Sequence, residues 1–146
     1  MMIKVKEVMS DNVCSVLPSA TIGEVALQMK KLNVGCMPVC TDRGFPKGVI
    51  TDRDLVLSIA SSGSNSFDIM KKAEEMMTTR IIKIDKEASV HEAALLMSKN
   101  KVRRLLVTQG EMLIGILSLG DIASQKIFLD EAGDVLGAIS KKETTS

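Results

Sequence analysis

Two short segments of the chain place a hydroxyl and a carboxylate at the same spacing. Val49-Ile50-Thr51-Asp52-Arg53-Asp54 is entered through Gly48, and Ile116-Leu117-Ser118-Leu119-Gly120-Asp121 through Gly115. In each, apolar residues end a strand, a Thr or Ser follows, and an Asp stands three positions on. That order suits a strand running into the first turn of a helix. There the hydroxyl and the unpaired backbone N–H groups can hold a phosphate, and the carboxylate can hold a sugar diol. The competing reading makes Asp54 and Asp121 ordinary first-turn acids, each stabilising its helix dipole by roughly 0.3–1 kcal/mol. A motif that occurs twice in one short chain favours two related small-molecule sites over a single catalytic centre.

The densest basic run, Lys99-Asn100-Lys101-Val102-Arg103-Arg104, lies upstream of the second segment. At a helix C-terminus such cations would be solvated and favourable to the dipole. Because the run enters an apolar strand, Arg103 and Arg104 are also candidates for charge-assisted contacts to phosphate. The first half has Gly35 and Cys36 there, and Arg53 in the first segment is replaced by Gly120 in the second. The single His91 is followed by Glu-Ala-Ala-Leu, so no His-Glu-x-x-His pair forms. Cys36 and Cys40 would share one strand face beside Pro38. With no second Cys pair they read as small buried hydrophobes rather than metal ligands. No nucleophile–base pair is visible either, so neither catalytic nor metal residues are expected.

Composition narrows the partners. The chain has 146 residues, 45% hydrophobic and 25% charged, which is ordinary globular composition with enough length for a core. A net charge of +1 and only three aromatic residues, all Phe, argue against nucleic acid. No stretch approaches the roughly 18 apolar residues of a membrane span. The charged first residues do not resemble a secretory signal, and an odd count of three Cys fits a reducing compartment. A cytoplasmic location is expected.

The positioning elements recur with the motif. Laying Met9 on Met77 also brings Val13 onto Ile81, Val16 onto Ile84, Glu24 onto Glu92, Met29 onto Met97 and Val39 onto Val107; Gly48 then meets Gly115 after a loop one residue shorter. Each half reads as β-α-β-β-α. Val13 to Val16 and Ile81 to Ile84 are predicted first strands. Thr21 and Ser89, with Glu24 and Glu92 three residues on, are predicted capping-box N-termini. Cys36 to Cys40 and Leu105 to Val107 are second strands; Gly48 to Ile50 and Leu113 to Leu117 are third strands leading to helices near Asp52 and Leu119. This is an α/β (α+β) fold of tandem repeats. Each half has one apolar sheet face more than its own helices cover, so the halves are expected to pack with pseudo-twofold symmetry. The divisions are residues 1–60, a linker at 61–75 containing Ser61-Ser62-Gly63-Ser64-Asn65-Ser66, residues 76–127, and a tail at 128–146.

In order, pairing and spacing, these motifs resemble the CBS-domain pair, or Bateman module. They include the Glu-Val-Met and Glu-Met-Met openings, Val34-Gly35-Cys36-Met37-Pro38-Val39, Val102-Arg103-Arg104-Leu105-Leu106-Val107 and Ser118-Leu119-Gly120-Asp121-Ile122. The resemblance covers roughly residues 3 to 125 and is to the stand-alone prokaryotic type. It implies regulation rather than catalysis: adenosyl ligands such as AMP, ADP, ATP or S-adenosylmethionine bound in clefts between the repeats, no catalytic cofactor, a homodimer, and an unknown regulated protein. Carried over by position, Thr51, Arg53 and Asp54 would serve one cleft, and Ser118 and Asp121 with Arg103 and Arg104 the other. Asn12, Val13, Cys14 and Met37-Pro38, and Arg80, Ile81, Ile82 and Leu105-Leu106, would line the base pockets. Leu106 in place of proline and Gly120 in place of Arg53 predict unequal clefts. The alternative is a ligand-independent dimerisation or adaptor module with vestigial clefts.

Overall fold

A computed structural model describes residues 2–63 and 66–124; the tail, including Phe128 to Ile139 and the terminal Lys141 to Ser146, lies outside the described residues. In chain order the elements are α1 (Val5–Val8), α2 (Ile22–Leu32), β1 (Cys36–Cys40), β2 (Pro46–Thr51), α3 (Asp52–Ser62), α4 (Ala73–Met76), β3 (Lys83–Asp85), α5 (Val90–Asn100), β4 (Arg104–Gln109), β5 (Met112–Ser118) and α6 (Leu119–Ala123). The mixed α and β content is that read from the sequence, while the short helices α1 and α4 are additional to the β-α-β-β-α order expected of each half.

The long helices start where the caps predict. Thr21 Oγ1 accepts the Glu24 N–H at 3.2 Å and Glu24 Oε2 accepts the Thr21 N–H at 3.1 Å, a full capping box at the start of α2. At α5, Ser89 Oγ accepts the Glu92 N–H at 3.0 Å, and only this half of the box is recorded among the described residues. Both helices end on a left-handed residue, Asn33 and Lys101, each with φ 55°. Ile22, Val25 and Met29 of α2 and Val90, Ala93, Ala94 and Met97 of α5 turn into the cores at helical spacing.

β1 pairs antiparallel with β2; β3 runs parallel to β4, which pairs antiparallel with β5. The predicted first strands change here. In the second repeat the strand is Lys83–Asp85 rather than Ile81 to Ile84, and in the first only a parallel bridge, Val16 to Val39, forms. The reason is chemical. In the second repeat the Leu106 N–H donates to Ile82 O at 3.0 Å. The aligned residue in the first repeat is Pro38, which has no N–H; at the other end the Lys86 N–H donates to Thr108 O at 3.0 Å, and its aligned residue Pro18 again has none, so only the Val16 bridge is left, its N–H reaching Pro38 O at 3.0 Å.

The chain divides into two compact units: Cys14–Ile81, and Met1–Val13 together with Ile82 onward. These do not coincide with the sequence repeats, because the opening segments are exchanged. Val5 of α1 is fully buried in the core formed by Ile84, Val90, Met97, Leu105, Val107, Leu117 and Ile122. Ala73 of α4, its repeat counterpart, is fully buried with Ile22, Val25, Met29, Met37, Val39 and Ile50. The backbone bonds repeat the exchange. Val5 N donates to Ala88 O at 2.8 Å, and Ala73 N to Ala20 O at 2.7 Å. Ser10 and Ile116 exchange N–H···O bonds of 2.9 and 3.0 Å, as do Thr78 and Val49. Two glycines permit that approach. A Cβ on Gly48 would lie 2.7 Å from Thr78 O, and one on Gly115 2.8 Å from Ser10 O.

Candidate functional site

The doubled hydroxyl–aspartate motif falls at the first turns of α3 and α6 and closes on itself. Thr51 Oγ1 accepts the Asp54 N–H at 3.1 Å, while Asp54 Oδ2 accepts the Thr51 N–H at 2.9 Å. Ser118 Oγ accepts the Asp121 N–H at 3.0 Å, and Asp121 Oδ2 the Ser118 N–H at 2.8 Å. Both motifs are therefore capping boxes with Asp in the place of Glu, and the spacing has a local structural cause. It leaves chemistry over: among the described residues no bond is recorded to Oδ1 of either aspartate, and all four residues are half-buried.

A backbone bond fixes each helix start beside the residue preceding the adjoining strand. The Asp52 N–H donates to Gly35 O at 3.0 Å, and the Leu119 N–H to Arg103 O at 2.8 Å. In the first repeat the space beside Gly35 is occupied: a Cβ there would stand 3.0 Å from Asp52 Oδ2. Asp52 Oδ1 also accepts the Arg53 N–H at 2.8 Å. The second repeat carries the exposed Arg103 where Gly35 stands, and Leu119 where Asp52 stands. Arg53, Arg103 and Arg104 are all exposed at these turns, so the structure brings Arg103 beside the Ser118–Asp121 turn and Arg53 within the Thr51–Asp54 turn.

The residues read as base-pocket walls separate into three groups. Met37 and Leu105, both 1% exposed, belong to the hydrophobic cores of their own units. Their neighbours Pro38 and Leu106 are buried on the other strand faces, outside those core clusters. Asn12, Cys14 and Arg80 are exposed, and Val13, Ile81 and Ile82 half-buried. The chain passes from one unit to the other between Val13 and Cys14 and between Ile81 and Ile82, so both crossings fall inside the expected triplets.

Of the remaining candidates, Cys36 is half-buried and Cys40 buried, with a strand irregularity between Val39 and Cys40 that interrupts simple alternation. Burial pushes the Cys40 thiol pKa up, against a hydrogen bond from Ser15 that lowers it. His91 is exposed on α5. Among the described residues no cluster of three or more His, Cys, Asp or Glu could hold a metal, and no helix is long and apolar enough to cross a membrane. A feature the sequence did not signal is a groove of about 490 Å³ lined by Val16, Leu17, Ser19, Ala20, Glu24 and Gln28.

With this geometry in hand, comparison with known proteins decides the family. The family model for the CBS domain matches residues 5–61 and again 73–126. The chain belongs to the CBS-domain family. This CBS-domain pair is 36% identical over 139 residues to the CBS domain-containing protein YhcV of Bacillus subtilis (strain 168), covering 95% of this chain and 96% of that one. Among solved structures, the CBS domain protein PAE2072 from Pyrobaculum aerophilum, complexed with AMP, superposes with a TM-score of 0.78 at 25% identity, covering 90% of this chain and 98% of that one. The CBS domain pair of protein MJ0100, in complex with 5′-methylthioadenosine and S-adenosyl-L-methionine, shares the fold with a TM-score of 0.74 at 24% identity, covering 90% and 99%.

Proposed function

We propose that this CBS-domain pair is a cytoplasmic ligand-sensing module that binds adenine nucleotides or related adenosyl ligands and signals the bound state to a partner protein. The observation that carries the reading is the doubled capping box. It holds Asp54 and Asp121 by one carboxylate oxygen and leaves the other to accept from a ribose hydroxyl pair. Thr51 with Arg53 would receive the phosphate in one site; Ser118 with Arg103 and Arg104 would do so in the other. Asn12, Val13, Cys14 and Pro38, and Arg80, Ile81, Ile82 and Leu106, would shape the base pockets, while Met37 and Leu105 would act by supporting those strands from the core side. AMP in the PAE2072 relative supports the ligand class. The module is regulatory, uses no catalytic cofactor, and works as a homodimer.

Thermal melting with AMP, ADP, ATP and S-adenosylmethionine tests the reading. Ligand at 100 times its dissociation constant stabilises by about 2.7 kcal/mol. Asp54→Asn with Asp121→Asn keeps a capping acceptor but loses the anionic ribose acceptor, so the ligand-induced shift collapses while the unliganded melt moves little. No shift with any of these compounds, or an unchanged shift in the double variant, refutes nucleotide sensing.

A second reading has its own observation. Because the capping boxes are complete without ligand, Thr51, Asp54, Ser118 and Asp121 would be retained in an adaptor module with vestigial clefts. That module would hold its dimer and its partner with both aspartates replaced.

A further inference from the structure

The methionines of the described residues occupy three kinds of environment. Met29, Met37 and Met97 are buried in the cores, whereas Met2, Met70 and Met112 are exposed. Met9 and Met77 lie between these extremes, half-buried, at aligned positions of the two repeats. Each closes an opening helix: the Met9 N–H donates to Val5 O at 3.0 Å and the Met77 N–H to Ala73 O at 2.9 Å. Each also packs on the core that its helix enters, Met9 beside the Val5 core and Met77 beside the Ala73 core.

The two sulfurs meet the same partner. A Cβ on Gly115 would lie 2.6 Å from Met9 Sδ, and one on Gly48 2.7 Å from Met77 Sδ. In both repeats the thioether fills the place of the side chain that a buried strand glycine lacks. The residue after each methionine makes the paired backbone bonds that hold the exchanged segment, Ser10 with Ile116 and Thr78 with Val49. The sulfur therefore has no room for an added oxygen on its glycine side and apolar core on another. Half-burial still leaves each side chain open to a small oxidant.

We propose that Met9 and Met77 are paired oxidation sites, each a latch that hydrogen peroxide opens by converting the thioether to a sulfoxide. A sulfur lone pair attacks one peroxide oxygen, the O–O bond breaks, and water leaves; sulfur gives up the two electrons that the peroxide gains. The product is polar, and burying it against apolar neighbours without a partner is unfavourable. The opening segment then parts from the last strand of its unit. A methionine sulfoxide reductase closes the latch again, two thiols becoming a disulfide as the oxygen leaves in water.

Peptide mass mapping and hydrogen exchange of the full chain after brief hydrogen peroxide treatment test the latch. Met9 and Met77 are expected to gain one oxygen each ahead of Met29, Met37 and Met97. The Ser10, Ile116, Val49 and Thr78 amides should then exchange about tenfold faster or more. The two epimer-specific methionine sulfoxide reductases should restore slow exchange in the wild type. Dithiothreitol alone, which reverses disulfide or sulfenic oxidation at the exposed Cys14, should not. Met9→Leu with Met77→Leu keeps the side-chain volume and retains Met2, Met70, Met76 and Met112, so its exchange should be indifferent to peroxide once circular dichroism confirms its fold. Met9 and Met77 left unmodified while Met2, Met70 and Met112 oxidise, or modified without faster exchange at those four amides, refute the latch. Recovery with dithiothreitol alone, or equal acceleration in the Leu variant, refutes it too by placing the effect at another residue.

Discussion

Gly35 and Asp52 in the first repeat stand where Arg103 and Leu119 stand in the second, and these exchanges are coupled through space. The helix-start N–H reaches the same carbonyl in both, Asp52 to Gly35 and Leu119 to Arg103. Around that shared bond the charge is inverted. One turn presents Asp52, Asp54 and Arg53; the other presents Asp121 with Arg103 and Arg104. Gly35 leaves room for the Asp52 carboxylate, and a side chain there would press on it. The backbone and capping geometry of the repeat have been retained while the charge at the turn has changed sign. Under the proposed function the two turns would differ in preference, the second suited to anions and the first less so.

The scaffold half of that comparison carries the largest expected effects. Gly48→Ala and Gly115→Ala each drive a Cβ toward a backbone oxygen of the exchanged segment, Thr78 O or Ser10 O. Each should cost about 1–3 kcal/mol, read as a lower urea midpoint with little change in slope. Similar losses in both establish equivalence of the two close approaches; a loss in one alone breaks it. Leu106→Pro comes next. It removes the Leu106 N–H···O bond to Ile82 and leaves that carbonyl unpaired, for about 1–3 kcal/mol. The reverse change, Pro38→Leu, supplies a donor to a first repeat that has done without one, and should alter stability by less than about 1 kcal/mol. Equal costs in both directions would mean that the absent Pro38 donor does not limit the first strand and that Pro18, aligned with the Lys86 donor, ends it alone.

The limits of sequence reading follow the same line between local and distant causes. The bounds of β1 at Cys36 and Cys40, the caps Thr21 and Ser89, and helix starts at Asp52 and Leu119 were legible because each depends on residues within one turn. The capping boxes at Thr51–Asp54 and Ser118–Asp121 had the same signature as Thr21–Glu24, one methylene shorter, and could have been read from it. The shortened first strand was legible only in part: Pro18 ends it from within, whereas Pro38 acts on a segment far upstream through a donor it lacks. The exchange of α1 and α4 was not legible. Ala73 fell within the expected linker at 61–75, and the burial of Val5 and Ala73 depends on cores built from distant residues.

Binding tests the charge half of the comparison. Arg103→Ala with Arg104→Ala should weaken AMP binding at the second site about tenfold or more, the worth of one charge-assisted hydrogen bond. Arg53→Ala should have the smaller effect, because Asp52 already offsets its charge in the first turn. Titration calorimetry at low and high salt reads both, and the double Arg variant should lose most of the salt dependence. A larger loss from Arg53→Ala would reverse the assigned preference of the two sites.

The smallest effect concerns a clamp that only one repeat has. Lys4 Nζ and Lys6 Nζ lie 2.6 and 2.8 Å from the Glu87 carboxylate, whereas the aligned residues Lys72, Glu74 and Ser19 cannot form the same triad. Hydrogen bonds from Lys4 and Lys6 lower the Glu87 pKa from the ordinary 4.5 to about 2, and the Glu87 hydrogen bond raises that of Lys4. A carboxylate with a depressed folded pKa contributes stability that is complete above about pH 4.5 and is lost as pH falls through about 2. At the alkaline end, the Lys4 contribution is present below 10.5 and fades as pH rises through its elevated pKa. All three side chains are solvent-exposed, so screening makes the contribution slight. Denaturation midpoints of wild type and Glu87→Gln should therefore differ a little at pH 7 and converge near pH 2, and the difference should shrink in high salt. Ser19→Ala, at the aligned position, should show no such pH-dependent difference. A gap that persists at pH 2 would assign the Glu87 effect to packing rather than charge, and the distinction between the two anchoring segments would then be one of shape.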